Sequence, residues 1–409
     1  MKILHTGDWH LGKRLGRFSR LEEQREVMAE IVEIAERENV DVVLLAGDVY
    51  DVSQPPAAAM ELLSKTIETL SNGGRRPIVI VAGNHDSPTL IDAHRYVNRK
   101  QGVLFYGFPN SEILPEDSDI VRRSAPGFVE ILIGDVPLRI LTTPYANEQT
   151  LGKFMQNERE ERINAALREM WAQTADKFCD ENGINVLLTH LYFHPASGMP
   201  PAEPDCREER TINYVGGSCA ISTLNVPEQI QYCAVGHLHR YQILDGKRAN
   251  YGRCVPVVYS GSPLAYSMSE AGQRKYVLLL NLEPNQAPEW KPIELTQGRN
   301  LRRIACTDVD EALEKIRLYP NEYLEIVMTG GNPLSAPELN LLHGAHEFIT
   351  EIILSQQLVR ASENAIDVQT FHSLSVEEHF VRYYEQKFNV APDVETLEIF
   401  RSLMAAIPN

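Results

Sequence analysis

The chain has 409 residues, 43% hydrophobic and 23% charged, which is enough for two or three domains with ordinary packed cores. Its formal net charge of −17 repels polyanions at long range and argues against a nucleic-acid substrate unless bound divalent cations reverse the local field. The six cysteines form no Cys-x-x-Cys pair, which argues against a zinc ribbon or a dense disulfide framework and fits a reducing compartment. No stretch approaches the roughly 20 apolar residues that span a bilayer, and the apolar run at the start is too short for a signal peptide, so a cytoplasmic protein is expected.

In chain order, the first part alternates strand and helix patterns. Ile3–Thr6 reads as a strand, and Leu21–Asn39 as a helix with Val27, Ile31, Ile34 and Ala35 on one face. Asp41–Ala46 is a buried strand, Pro55–Leu70 a helix opened by Pro-Pro, and Pro77–Ala82 a third strand. This βαβαβ rhythm predicts an α/β sheet with helices on its faces. Phe128–Ile133 and Leu138–Thr143 flank Gly134-Asp135, a hairpin signal. Thr150–Asn182 is helical; Asn185–Thr189, Tyr232–Val235, Val255–Tyr259 and Lys275–Leu282 are strands. Pro195, Pro200, Pro201, Pro204 and Gly216-Gly217 mark a long loop that is expected to shape the site mouth. Two basic clusters, Lys13, Arg14, Arg17 and Arg20, then Arg95, Arg99 and Lys100, read as solvated helix faces.

Pro284, Asn285 and Pro288 mark a composition shift and place a boundary there. Beyond it, Leu301–Thr307, Tyr323–Thr329 and Ile349–Leu358 are strands, with helices at Val309–Leu318 and Pro337–Phe348. The expected organisation is a first domain over residues 1–284, a small α+β domain over 285–359, a polar linker over 360–373 and a helical pair over 374–409. That pair opens on a capping box at Ser375–Glu378, carries stripes at Val376, Phe380, Tyr383, Tyr384 and Phe388 and at Val394, Leu397, Phe400, Leu403 and Met404, and is too short to hold a core alone.

Motifs at the ends of the apolar strands carry the chemistry. Asp8 and His10 sit in Gly-Asp-Trp-His, Asp48 in Ala-Gly-Asp-Val, and Asn84, His85 and Asp86 in Gly-Asn-His-Asp. His190 sits in Leu-Thr-His, and His237 and His239 in Gly-His-Leu-His. Together they are the donor set of a two-metal phosphoesterase. Asp48, alone in its motif, is the expected bridge between two divalent ions. Asp8, His10 and His239 would complete one position, and Asn84, His190 and His237 the other, since x-spaced pairs on extended backbone aim side chains the same way. Nitrogen and oxygen donors without thiolate suit manganese, iron or zinc. His85 is left for proton work, and Asp86 is expected to orient its ring. His5, His94, His194, His343, His346, His372 and His379 fall outside the pattern and are expected to be structural.

This ordered set resembles the calcineurin-like metallophosphoesterase superfamily. The fuller strings His5-Thr-Gly-Asp-Trp-His-Leu-Gly12 and Tyr259-Ser-Gly-Ser-Pro-Leu264 resemble, within it, the SbcD-type nuclease subunits of bacterial SbcCD complexes. Gly7 departs from the pattern, since many relatives carry Ser there. The resemblance implies a metallophosphoesterase β-sandwich flanked by helices, a small α+β capping domain and a C-terminal helical pair. It implies a manganese-dependent DNA nuclease acting on duplex ends, single strands and hairpins. It also implies an SbcC-type ATPase partner with long coiled coils, gripped by the helical pair, and a homodimer formed through Pro55–Leu70 and Pro88–Lys100. No Gly-x-x-x-x-Gly-Lys-Ser/Thr occurs, so the chain itself is not expected to bind ATP. The rival readings are a small-nucleotide phosphodiesterase or phosphatase, which needs the same metals, and a non-catalytic scaffold, which would not need to keep every donor.

Overall fold

The computed structural model describes residues 1–98, 102–147, 150–151, 159–195, 219–246, 255–330 and 334–354, and beyond them residues 380, 381, 384, 392, 396, 397 and 400. The strands, in chain order, are β1 (Lys2–Thr6), β2 (Val42–Ala46), β3 (Ile78–Val81), β4 (Val103–Tyr106), β5 (Val121–Ala125), β6 (Phe128–Ile133), β7 (Val136–Thr143), β8 (Ile184–His190), β9 (Tyr232–Gly236), β10 (Gln242–Gly246), β11 (Val255–Tyr259), β12 (Lys275–Asn281) and β13 (Glu289–Leu295). The first sheet has the order β13-β12-β1-β2-β3-β4 and the second β10-β11-β9-β8-β7-β6-β5. In the first sheet β1 to β4 run parallel. In the second, β7, β8, β9 and β11 do. Antiparallel strands close the edges.

The central strands read as unbroken apolar runs because both of their faces are covered. Ile3, Val42, Leu44, Val79 and Val81 of the first sheet meet Ile140, Val186, Leu188, Ala234 and Val258 of the second in a dry layer between the sheets. The outer face of the first sheet packs under α1 (Leu21–Arg37) and α2 (Ala57–Leu70), joined by Ile91 of α3 (Pro88–Asn98). The outer face of the second packs under α4 (Arg159–Phe178), with Ile163, Leu167, Trp171 and Ala175 facing inward. This is the expected β-sandwich flanked by helices. Each fully buried aliphatic side chain in these layers contributes about 1.5–3 kcal/mol.

The 284/285 boundary falls inside the first sheet. β12 pairs with β13 from Lys275↔Leu295 to Asn281↔Glu289, so the proline-rich stretch is a connection between two strands. The small domain's sheet begins at β14 (Leu301–Cys306) and continues through β15 (Tyr323–Met328) and β16 (Ile349–Leu354), all parallel, with α5 (Val309–Ile316) and α6 (Ala336–Ala345) as crossovers. Asp308 caps α5 by accepting from Glu311 N at 2.9 Å, and Ser335 with Glu338 forms a capping box on α6. The linker over 360–373 lies outside the described residues. So does most of the helical pair over 374–409; of its described positions, 380, 381, 384, 396, 397 and 400 are helical and Phe380 stacks on Phe400 at 4.1 Å.

Arg20 corrects the reading of the first basic cluster. It is fully buried at the start of α1, donates to Glu23 and to the carbonyl of Ala265, and lies 5.0 Å from the ring of Tyr323 in the small domain. Arg95, Arg99 and Lys100 lie outside the described side chains.

Candidate metal centre

Parallel strands of both sheets point their C-terminal ends to one place, where open α/β sheets hold their ligands. Asp8 and His10 follow β1, Asp48 follows β2, Asn84 and His85 follow β3, His190 ends β8, and His237 and His239 follow β9. The turns are tight enough to force unusual backbone. Asp8 (φ 52°), His10 (φ 44°), Asp48 (φ 47°) and His237 (φ 103°) all have positive φ, a conformation that costs of order 1–3 kcal/mol per non-glycine residue and clusters at functional sites. Asp8 N donates to Gly47 O at 3.0 Å and His10 N to Asp48 O at 2.9 Å, which zips the first two loops together. Glycine is required where the loops touch: a Cβ at Gly47 would lie 2.3 Å from His190 Nδ1, and one at Gly83 would lie 2.1 Å from Asp48 Oδ1.

The donors converge in overlapping groups: Asp8 lies with His10 and His239 and also with Asp48 and His190, and His10 lies as well with Asp51 and His85. His10 Nε2 lies 3.0 Å from His239 Nε2, and Asp8, His10 and His239 each offer an atom within 4.8 Å of the others. Asn84 Oδ1 lies 2.8 Å from His237 Nδ1 and 3.0 Å from His190 Nε2. Between the two groups, Asp48 Oδ2 lies 3.4 Å from both His10 Nε2 and His190 Nε2, the place of a bridge. Separations of 2.8–3.4 Å would suit donors that hold an ion at about 2.0–2.2 Å.

His190 Nδ1 donates to the carbonyl of Ala46 at 2.8 Å, which turns Nε2 to the oxygens of Asn84 at 3.0 Å and Asp48 at 3.4 Å, so Nε2 is the nitrogen that would offer a lone pair to an ion once its proton leaves. His239 Nδ1 faces the carboxylate of Glu270 at 3.1 Å, which leaves the Nε2 lone pair directed at His10. Asp8 Oδ2 is buried with no hydrogen-bond partner. Nitrogen and oxygen atoms crowded at one place, with an orphaned carboxylate oxygen beside them, fit cations between them.

The proton affinities agree. Burial holds His10 down to about 4 and His237 to about 3, so both are neutral imidazoles ready to donate a lone pair. Burial raises Asp8 to about 6, although His190 and His239 pull the other way. Asp48 stays well below the ordinary carboxylate range: burial opposes this, but His190, His85 and His10 outweigh it. His190 is raised to about 9, because Asp48 beside it overcomes the opposing effect of burial.

His190 gives a signed prediction. Its folded pKa lies above the ordinary 6.5, so the stability its proton confers on the metal-free protein is complete below 6.5 and lost as pH rises through about 9. An ion entering at pH 7.5 must displace that proton. Calorimetric titration of manganese at pH 7.5 in buffers of different ionisation enthalpy should show release of about one proton, and affinity should rise about tenfold per pH unit before flattening near pH 9. Heats independent of the buffer would refute the assignment.

Asp86 lies elsewhere than its neighbour suggested. Its carboxylate accepts from the backbone N–H groups of Gly83 (2.8 Å), Tyr50 (2.9 Å) and Val49 (3.0 Å), tying the second and third loops together. Burial, then the nearby Asp48, raises it to about 6. The ring of His85 is positioned by Asp51 instead, whose carbonyl oxygen lies 2.7 Å from His85 Nδ1. The side chain of Asp51 accepts from Lys13 Nζ at 2.8 Å and stands 3.6 Å from His10 Nδ1. Asp51 follows Asp48 in Gly-Asp-Val-Tyr-Asp, so a second carboxylate three residues on was the available signal. Glu270 and Lys275 had none, since they enter the site from a distant loop and strand. His5 pairs with Tyr232 at 3.1 Å, His94 with Tyr50 at 3.1 Å and His346 with the carbonyl of Tyr319 at 3.0 Å, all structural roles.

The family model for calcineurin-like phosphoesterases matches residues 1–241, more than half of the chain and every one of these donors. The chain belongs to the calcineurin-like phosphoesterase family, on its SbcD branch. It is 29% identical to SbcD, the nuclease component of SbcCD, from Bacillus subtilis, over 100% of this chain and 98% of that one. It is 33% identical to the SbcD of Rhodobacter capsulatus, over 72% and 69%, and 28% identical to that of Escherichia coli K12, over 93% and 92%. As a calcineurin-like phosphoesterase it is a hydrolase of phosphoester bonds whose family chemistry uses two divalent metals. Among the described residues no helix is long and apolar enough to cross a membrane.

Proposed function

We propose that this chain is the manganese-dependent nuclease subunit of an SbcCD-type complex, cutting DNA phosphodiester bonds at duplex ends and in single strands or hairpins. The convergence of Asp8, His10, Asp48, Asn84, His190, His237 and His239 at one place carries the reading, with the full-length likeness to the Bacillus subtilis SbcD as its support. Asp8, His10, Asp48, Asn84, His190, His237 and His239 would hold two divalent ions, whose chemistry would be to activate a water and neutralise phosphate oxygens. The chain's part is placement. Asp48 Oδ1 accepts from His85 N at 2.9 Å, which orients Oδ2 toward His10 and His190, where it would bridge two ions. His85, partly exposed and holding Nδ1 against the Asp51 carbonyl, keeps Nε2 as the atom that delivers a proton to the leaving oxygen.

The partner in this reading is an SbcC-type ATPase with coiled coils, met by the C-terminal helical pair, and the cytoplasm is the compartment. A homodimer would form through α2 and α3. Much of the grip on DNA would come from the partner, which reconciles a polyanionic substrate with a net charge of −17. A small-nucleotide enzyme has no use for the appended domain and terminal helices, and a dead scaffold none for intact donors. The test is a labelled hairpin-ended duplex with manganese and the cognate ATPase: cleavage is expected, whereas turnover of a small phosphodiester with the polymer left intact would overturn the reading.

A further inference from the structure

Behind one metal-facing histidine lies a buried pair of opposite charges that hydrolysis does not itself require. Glu270 is fully buried; its Oε1 accepts from His239 Nδ1 and from Tyr266 N, each at 3.1 Å. Its Oε2 meets Lys275 Nζ and lies 3.4 Å from Ser262 Oγ. Lys275, only 8% exposed, also donates to the carbonyl of His239 at 2.9 Å and to Ser262 Oγ at 3.0 Å. The lysine therefore fixes the backbone of His239 and also the carboxylate that fixes its ring. A buried ion pair of this kind is a weak source of stability, because desolvation of both charges offsets their attraction. Its geometry is that of a carboxylate behind a metal-bound histidine, which sets tautomer, ring angle and donor strength.

The second ion position is built differently. There His190 Nδ1 hydrogen-bonds the neutral carbonyl of Ala46 at 2.8 Å, with Asp8 Oδ1 at the longer distance of 3.9 Å. The two positions thus differ in whether a carboxylate hydrogen-bonds the histidine ring from behind. Glu270 also ends the turn Met268–Glu270, and Met268 and Ala271 pack with Leu301, Tyr323 and Phe348 of the small domain. The seat of His239 is built onto that contact.

We propose that Glu270, neutralised by Lys275, is the positioning residue that sets the affinity of the ion position formed by Asp8, His10 and His239, and that it anchors this position to the small domain. The inference rests on the two-metal reading. It is tested on the full chain by counting bound manganese after desalting and by titrating manganese calorimetrically in wild type, Glu270→Gln, Glu270→Asp and the double variant Glu270→Gln/Lys275→Met. Wild type should take up two ions. Glu270→Gln should weaken one of them by about 10–100-fold and leave the other unchanged, and Glu270→Asp should recover part of the loss. The double variant leaves no unpaired charge, so it should melt near the wild-type temperature and still show the loss of one ion. Two ions held with wild-type affinity in a folded double variant would overturn the positioning role while leaving the two-metal reading intact. An equal loss at both positions with a lowered Tm would overturn it in favour of a structural role. Failure of wild type to take up two ions would overturn the two-metal reading, and this inference with it.

Discussion

Asp48→Asn should leave a folded protein that cannot hold two ions together and has lost about 10³-fold or more in turnover, the several kcal/mol expected when the bridge of a two-metal site is removed. Asp48 Oδ2 lies 3.4 Å from a histidine nitrogen of each group. An amide matches its shape, and the carbonyl oxygen can still accept from His85 N, so the loops should close as before. What disappears is the negative charge. His190 is then no longer held up at about 9 by Asp48, so the metal-free variant should lose the extra stability that wild type has below that pH. Manganese content by mass spectrometry, turnover on a hairpin-ended duplex and thermal melting at pH 7 and pH 9 together check the assignment. Two bound ions and wild-type turnover would remove Asp48 from the bridge.

Most of the frame was legible because its signals are local. Val42–Ala46 and Ile78–Val81 are unbroken apolar runs, since their strands are covered on both faces. α1 shows its inward face through Val27, Ile31 and Ile34 at helical spacing. β13 escaped because it is a sheet edge: it is exposed along most of its length, and Pro292, tolerable only on an edge, disguises it as part of a linker. The donors were legible because each directly ends or follows a strand, and strand ends are where the sequence pattern is sharpest.

The support behind the donors was not legible. Asp86 adjoins His85 in sequence, but in a tight turn adjacent side chains diverge, and its oxygens are claimed by the backbone N–H of Gly83 in its own loop and by those of Val49 and Tyr50 in the loop after β2. Glu270 reaches His239 across 31 positions of sequence, and Arg20 reaches the carbonyl of Ala265 across 245. Such contacts follow from how domains pack, which no periodicity records.

His85→Gln separates the proton role from ion binding. Its Nδ1 is committed to the Asp51 carbonyl and its ring stands edge-on to His10 with centroids 4.8 Å apart, beside the donors and not among their shortest contacts. The variant should therefore keep both ions and its affinity for DNA, while kcat falls by about 10²–10⁴-fold, the range for loss of a positioned acid. The loss should shrink on an activated small phosphodiester whose leaving group departs without a proton, because there the acid has nothing to supply. Asp86→Asn makes the contrast: its one oxygen can still accept from Val49 N and Gly83 N, but its NH₂ then faces the N–H of Tyr50, costing about 1–3 kcal/mol of stability, with no dependence on the leaving group. Equal losses for His85→Gln on good and poor leaving groups would assign the ring to electrostatic stabilisation of the transition state. Loss of an ion from His85→Gln would instead make it a ligand beside His10 and Asp51, whose donor atoms lie within 4.8 Å of its own.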